Sequence, residues 1–304
     1  MPITKPIKNR INELKKEFDA LSVGKESLLA IIDDTEVPES VYNSNAIENS
    51  TLTLKETERI LLDMEVSRDV SLREVYEAKN LARVISYIRG KSKDGKIDKD
   101  LILFLHKMLI NEINDEIAGR FRKPGEYVRV GTHIAPPPEQ VEVMLNSILA
   151  EYNSNLSSYF LDKIASFHLN FENIHPFNDG NGRIGRSLIC FQLQLLGFPI
   201  IIIRDREKKD YYEAFSDYRD KKKTNRMEKI ISVALMESLA KRITYLKGQK
   251  IITLPEYAKE NNLSSPAIIN AARRQNIPAF REKGVWKIGK DFKYVSRNRD
   301  VDEK

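Results

Sequence analysis

The sequence predicts a mainly α-helical chain with one short β-hairpin and a small α+β unit at its C-terminal end. Three observations carry this. Apolar residues recur at steps of three and four through long stretches of residues 8–250. β-Branched and aromatic residues alternate only around 127–134 and 280–292. Of 13 glycines in 304 residues, three fall within 180–185, between two helical stripes.

Taken in order, residues 8–35 read as one charged amphipathic helix. Ser44-Asn-Ala-Ile-Glu48-Asn49 follows Pro38 and precedes Thr53-Leu-Lys-Glu56, a helix-start box with Thr53 as N-cap and Glu56 reaching back. This places a short element carrying Glu48 just before a longer helix. Residues 71–90, 98–112 and 139–155 read as further helices, with a turn at Lys91–Lys96. Tyr127, Val128, Val130 and Ile134 favour strand and Gly131 a turn, which gives the hairpin. Phe160, Ile164, Phe167, Phe171 and Ile174 form one helical stripe, and Ile184, Leu188, Phe191 and Leu195 another, stopped by Gly197 and Pro199. A helix over about 222–250 leads to a boundary near Lys247–Lys250. Beyond it, Thr253-Leu-Pro-Glu256 is a second helix-start box, Ser265-Pro266 opens another helix, and two strand-like runs flank Lys283-Gly284. Three regions follow: 1–95, 96–246 and 250–304.

Composition bounds the function classes. Lys plus Arg minus Asp plus Glu is 50 − 44 = +6, with a pI near 9.1. This charge permits nucleic-acid contact without demanding it. The single cysteine, Cys190, lies in an apolar helix stripe and reads as a buried small hydrophobe, so a reducing cytoplasm is expected. There is no long apolar run for a membrane span, no apolar leader at the start and no internal repeat. No His, Cys and carboxylate spacing fits a zinc site, and no Gly-x-x-x-x-Gly-Lys-[Ser/Thr] phosphate loop occurs.

The loop between the two stripes carries the chemistry: His175-Pro-Phe-Asn-Asp-Gly-Asn-Gly-Arg-Ile-Gly-Arg186. Gly180, Asn181 and Gly182 stand at a helix N-terminus, where unpaired N–H groups and the helix dipole favour an anion. Arg183 and Arg186 are three apart and project from one side of the first turn, as bidentate phosphate ligands would. Asp179, the loop's lone carboxylate, suits Mg²⁺, which keeps most of its waters and bridges phosphates. His175 suits a general base, because an imidazole titrates near neutrality. The composite points to nucleotide-phosphate transfer.

The twelve residues match in full the pattern His-Pro-Phe-x-[Asp/Glu]-Gly-Asn-Gly-Arg-x-x-Arg, and the chain resembles the Fic proteins over roughly residues 40–220. The resemblance implies a Fic-type helical bundle and an enzyme that moves AMP from ATP, its co-substrate, onto a hydroxyl of a target protein. It implies that His175 takes the hydroxyl proton, Phe177 anchors the loop and Asp179 holds Mg²⁺. Gly180, Asn181 and Gly182 then surround the α- and β-phosphates, Arg183 meets the β-phosphate and Arg186 the γ-phosphate. Ser44-x-x-x-Glu48-Asn49 resembles the inhibitory motif of self-inhibited Fic proteins, which implies that Glu48 pairs with Arg186. The hairpin with Tyr127, Val128 and Val130 becomes a target-docking flap, with His133 as a flap residue; His106 and His168 read as structural. Tyr212, with Tyr211 second, becomes the adenosine-side tyrosine, although Tyr218-Arg219 stands where relatives often carry Ala-Asn.

Helix, helix and hairpin over 251–292 resemble a small winged-helix module. Arg273 and Arg274 then face DNA phosphates, or the unit docks protein or supports a dimer. Two other readings stand beside AMP transfer: removal of AMP, or transfer of another phosphate-containing group, and a DNA-binding regulator. The resemblance alone admits self-modification and a homodimer.

Overall fold

The structure, a computed structural model, describes residues 3–66, 69–91 and 95–294. Residues 92–94 of the expected turn at 91–96 lie outside these residues, as does the segment 295–304 of the expected C-terminal region. Twelve α-helices and two small antiparallel sheets are found among the described residues.

The expected helix over 8–35 is two helices. α1 spans Lys5–Ser22 and buries Ile11, Leu14 and Phe18. Gly24 then takes φ +72°, a left-handed backbone that ends the helix at little steric cost. α2 spans Glu26–Ile47 and runs straight through Pro38, whose missing N–H removes one ladder bond without ending it. Glu48 is therefore the C-cap of a 22-residue helix rather than part of a short element. The helix that follows, α3, is the short one: Leu54–Glu58, with the Thr53–Glu56 capping box formed as expected. It continues into a π-turn over Arg59–Asp63.

α4 (Leu72–Lys91) and α5 (Lys99–Ile110) pack together, and Asp98 caps α5 by accepting from Leu101 N–H at 2.9 Å. The hairpin is smaller than expected: β1 is Arg129–Val130 and β2 is His133–Ile134. Tyr127 and Val128 precede the paired residues, although the Val128 carbonyl still accepts from Ala135 N–H at 3.0 Å. α6 (Pro138–Ser154), α7 (Phe160–Ile174) and α8 (Asn181–Leu195) follow, then α9 (Lys208–Lys221) and α10 (Asn225–Leu246). No helix of the described residues is long and apolar enough to cross a membrane.

Two apolar clusters fill the helical body. One joins α1, α7, α9 and α10 around Ile11, Ile164, Tyr211 and Leu235. The other joins α4, α5, α6, α7 and α8 around Leu81, Leu105, Leu145 and Phe171. α7 and α8 face both, so the loop between them is held from two sides.

β3 (Ile251–Thr253), α11 (Leu254–Glu260), α12 (Ser265–Arg273), β4 (Phe280–Glu282) and β5 (Val285–Gly289) complete the chain, with sheet order β3-β5-β4. The β4–β5 turn has Lys283 at φ +50° and Gly284 at φ +79°, the mirror-image turn that matches strand twist. This unit has its own core, around Leu254, Tyr257, Ile268 and Ile288. It is nonetheless bolted to the helical body through buried charges. Arg281 on β4 donates to Glu237 on α10 at 2.6 Å and to Glu207 at 2.9 Å. Glu39 on α2 accepts from Arg204 and from the N–H groups of Lys283 and Gly284 at 3.1 and 3.2 Å.

Candidate active site

α7 and α8 set the site, and the loop between them is locked on itself. α7 ends at His175, which takes the left-handed conformation (φ 51°, ψ 63°) and turns the chain. Asn181 uses its side chain for closure: Oδ1 accepts from Phe177 N–H at 2.9 Å and Nδ2 donates to the Phe177 carbonyl at 2.8 Å. Phe177 is fully buried, as expected, with its ring stacked on His106 at 3.7 Å. His106 does more than pack. Its Nδ1 accepts from Gly119 N–H at 3.0 Å, which leaves Nε2 to donate to the Asp179 carbonyl at 3.1 Å. Arg122, which the sequence did not single out, fastens the loop's entry by donating to the carbonyls of His175 (2.9 Å), Pro136 (2.8 Å) and Ile174 (3.3 Å).

Gly180 begins α8 at φ +81°, a backbone open to glycine, and a Cβ there would also meet Leu109 at 2.9 Å. A Cβ on Gly182 would collide with Glu48 Oε1. The Glu48 carboxylate thus lies against the first turn of α8, where an anion is favoured. It pairs with Arg186 at 2.8 Å. Arg186 also donates to the Ser44 hydroxyl at 3.0 Å and the Ser44 carbonyl at 2.8 Å. The sequence pattern Ser44–Glu48–Asn49 has a local reason. One turn of α2 separates Ser44 from Glu48, so both reach the same guanidinium. Asn49 takes φ +69°, where asparagine and glycine are tolerated best.

α9 holds the end of α2. Lys208 Nζ donates to the Ala46 carbonyl at 3.2 Å and to Asn49 Oδ1 at 2.8 Å, and the Tyr212 hydroxyl donates to the Ile47 carbonyl at 3.1 Å. Tyr212, expected to line adenosine, is here a cap on α2. Tyr211, the second candidate, is buried between Arg186 Nη1 at 3.3 Å and His168 Nε2 at 2.9 Å. Tyr218 is buried and its hydroxyl donates to Asn170 Oδ1 at 2.6 Å. Cys190 is half-buried, its thiol donating to the Ile201 carbonyl at 3.4 Å.

Electrostatics separate the two acid–base groups at the end of α7. Burial brings the His175 imidazole down to about 4, so it is neutral near pH 7, with a free lone pair but weakened as a base while it stays this buried. Its Nδ1 has no hydrogen-bond partner among the described residues; Glu172 Oε2 lies 3.9 Å away. Glu172 is the opposite case. Burial, with Glu48 nearby, pushes its carboxyl up to about 8, so it is a neutral acid at pH 7. No motif in the sequence marks it, although it stands one turn before His175 on the same helix face.

Asp179 and Arg183 meet residues of α4. Asp179 pairs with Arg73 at 2.5 Å and Arg183 at 2.9 Å; Glu77 pairs with Arg183 at 3.2 Å and Arg73 at 3.1 Å. Burial works to raise the Asp179 carboxyl, and Arg183 and Arg73 outweigh it, holding the group below its ordinary value. These residues, with Asn45, Glu48 and Ser50, line a cleft of about 290 Å³. Tyr127 and Val130 are exposed on the hairpin, and His133 Nε2 donates to the Asn173 carbonyl at 2.9 Å, tying the hairpin to the end of α7. No group of three or more His, Cys, Asp or Glu that could cage a metal occurs among the described residues.

Comparison with known proteins places this site in context. The Fic/DOC family profile matches residues 96–193. The chain is 33% identical over 57% of its length to the protein adenylyltransferase Fic of Nematostella vectensis, covering 41% of that protein. It is 32% identical over 67% of its length to the Drosophila melanogaster protein of the same name, covering 42% of it. The chain thus spans about two-fifths of the curated relatives it matches. Among solved structures, it is similar to a Fic domain containing signaling protein from Bacteroides thetaiotaomicron, with TM-score 0.70 and 25% identity over 79% of this chain and 98% of that one. A Fic family protein from Desulfovibrio desulfuricans G20 shares the fold over 97% of this chain and 100% of its own, with TM-score 0.66 and 21% identity.

Proposed function

We propose, from the premise that residues 96–193 form a Fic/DOC family domain, that the chain is a self-inhibited protein adenylyltransferase. It transfers AMP from ATP to a Ser, Thr or Tyr hydroxyl of a target protein. A bond forms between the hydroxyl oxygen and the α-phosphorus, the bond from that phosphorus to the β-bridging oxygen breaks, and pyrophosphate leaves. The hydroxyl proton goes to His175, whose neutral imidazole is ready to take it.

The other roles rest on what each group offers. The N–H groups of Gly180, Asn181 and Gly182 belong to the N-terminus of α8, a place suited to the α- and β-phosphates, and that of Gly180 now donates to Asp179 Oδ1. Arg183 and Arg186 serve the β- and γ-phosphates. Asp179 is the carboxylate for Mg²⁺; one carboxylate beside a phosphate nest fits a cation that keeps most of its waters, and no caged site is needed. When bound, Mg²⁺ neutralises charge on the departing pyrophosphate. The hairpin with Tyr127, Val128 and Val130 offers an edge for an extended target segment.

The Glu48–Arg186 pair at 2.8 Å is the observation that carries the self-inhibited reading. The carboxylate holds the guanidinium that the γ-phosphate needs, and ATP seated without it presents its α-phosphate out of line. Each ~1.4 kcal/mol by which this disfavours the productive pose lowers the rate about tenfold.

The test uses ATP labelled on its α-phosphate with Mg²⁺, comparing the unaltered protein with Glu48→Gly and His175→Ala. Glu48→Gly is expected to label protein at least about tenfold faster, and the double variant with His175→Ala to show none. Equal labelling of Glu48→Gly and the unaltered protein sinks the self-inhibited reading.

A further inference from the structure

Arg73 and Glu77 on α4 stand one turn apart, and so do Asp179 and Arg183 across from them. The four ion pairs between them close a ring of alternating charge: Arg73 to Glu77, Glu77 to Arg183, Arg183 to Asp179, and Asp179 back to Arg73. The ring is electrically neutral. It uses both members of the loop that the proposed function assigns to metal and β-phosphate, so the ring and those ligands draw on the same two groups.

The members are not equally free to leave. Arg183 is 4% exposed and Glu77 13%, whereas Arg73 is 59% exposed at the rim of the cleft. Releasing a buried charge is costly, but a rim guanidinium that swings into water regains its hydration. Arg73 is also the only ring member that brings a positive charge to Asp179 from another helix. It lies 2.5 Å from Asp179 Oδ2, in the place where a cation would bind the same oxygen.

We propose that Arg73 is a resident counter-cation of Asp179, which competes with the divalent metal for that carboxylate and makes metal loading an exchange. This rests on the reading of Asp179 as the metal carboxylate. Arg73 leaves toward solvent as the divalent ion arrives, because two cations cannot share one carboxylate edge without repulsion. Glu77, deserted by Arg73 and by an Arg183 drawn to phosphate, would keep a largely buried negative charge near Asp179. The ring is thus a second brake, independent of Glu48, acting on metal affinity rather than on the γ-phosphate.

The experiment measures binding of Mn²⁺, by electron paramagnetic resonance, to the full chain carrying His175→Ala and saturated with a non-transferable ATP analogue. Removing an exposed pair of this kind is expected to tighten Mn²⁺ binding about two- to fivefold in Arg73→Ala. Arg73→Lys, which keeps the charge without the planar fork, falls between it and the parent. Unchanged Mn²⁺ affinity in Arg73→Ala, with folding verified by circular dichroism, overturns the competition. Weaker binding also overturns it, since Arg73 is then a ligand-side residue. Asp179→Asn separates the two readings: if Mn²⁺ binding does not depend on Asp179, the metal assignment itself fails and this inference falls with it.

Discussion

Glu172 shows how one side chain can differ from what its residue type suggests. A glutamate one turn before the candidate base looks like an anion that would steady an imidazolium. Buried against Gly185 and the His168 ring, with Oε1 lacking a partner, it is instead held protonated, near 8 against an ordinary 4.5. A raised acid pKa costs nothing below pH 4.5, where folded and unfolded chains both carry the proton. The cost appears as pH rises from 4.5 through about 8, at up to ~1.4 kcal/mol for each unit of difference. Glu172→Gln keeps the shape and cannot ionise. It is expected to match the parent in urea unfolding at pH 5 and to exceed it at pH 8.5; a difference that is the same at both pH values would show that the carboxyl ionises at the same pH in the folded and unfolded chains and is not raised.

At the scale of the element, α2 matters most, because its last turn delivers Ser44 and Glu48 to Arg186. That turn ends on Asn49 in the left-handed conformation, pinned by Lys208 and Tyr212 from α9. A side chain with a Cβ and no local hydrogen bond pays about 1–2 kcal/mol there. Asn49→Ala is therefore expected to loosen the end of α2, and hydrogen exchange of residues 44–49 to accelerate severalfold or more. Asn49→Gly relieves the backbone cost and keeps protection close to the parent. Equal exchange in both variants would remove the backbone from the explanation. The residues around this turn were partly legible beforehand. The motif pointed to Glu48 and Arg186, and the helix-start box at Thr53–Glu56 stood as read. The long helix through Pro38 was not, since a proline usually signals a break and it is packing, against α3 and α4 above all, that holds α2 together past it.

For the whole molecule, the buried ion network makes the C-terminal unit part of the frame. Arg281 is 5% exposed, and its guanidinium meets Glu237, Glu207 and the Trp286 ring. Removing one partner from such a network strands the other. Arg281→Ala is expected to cost about 3–5 kcal/mol, seen as a lower urea midpoint. The unfolding transition should stay single, because β4 joins α10 and α2 through the same charges. Two resolved transitions would show that the unit behind residue 250 unfolds by itself. Glu39 extends this frame to α2, so strain in the β4–β5 turn reaches the same helix that ends on Glu48.

The chain by itself determined most of its helices, the hairpin and the position of the loop 175–186. Those features rest on periodicity and on motifs whose members lie within a turn or two of each other, whereas the pairing of Glu48 with Arg186, 138 positions apart, came only from the family resemblance. Only the tertiary structure decided that Tyr212 caps α2, that Tyr211 stands behind Arg186, and that Arg122 and His106 hold the loop. It also brought Arg73 to Asp179, 106 positions along the chain. A surface arginine and a helix-face glutamate look the same in sequence whether they meet water or each other. What distinguishes them is the docking of α4 on α8, which depends on the summed burial of both helices.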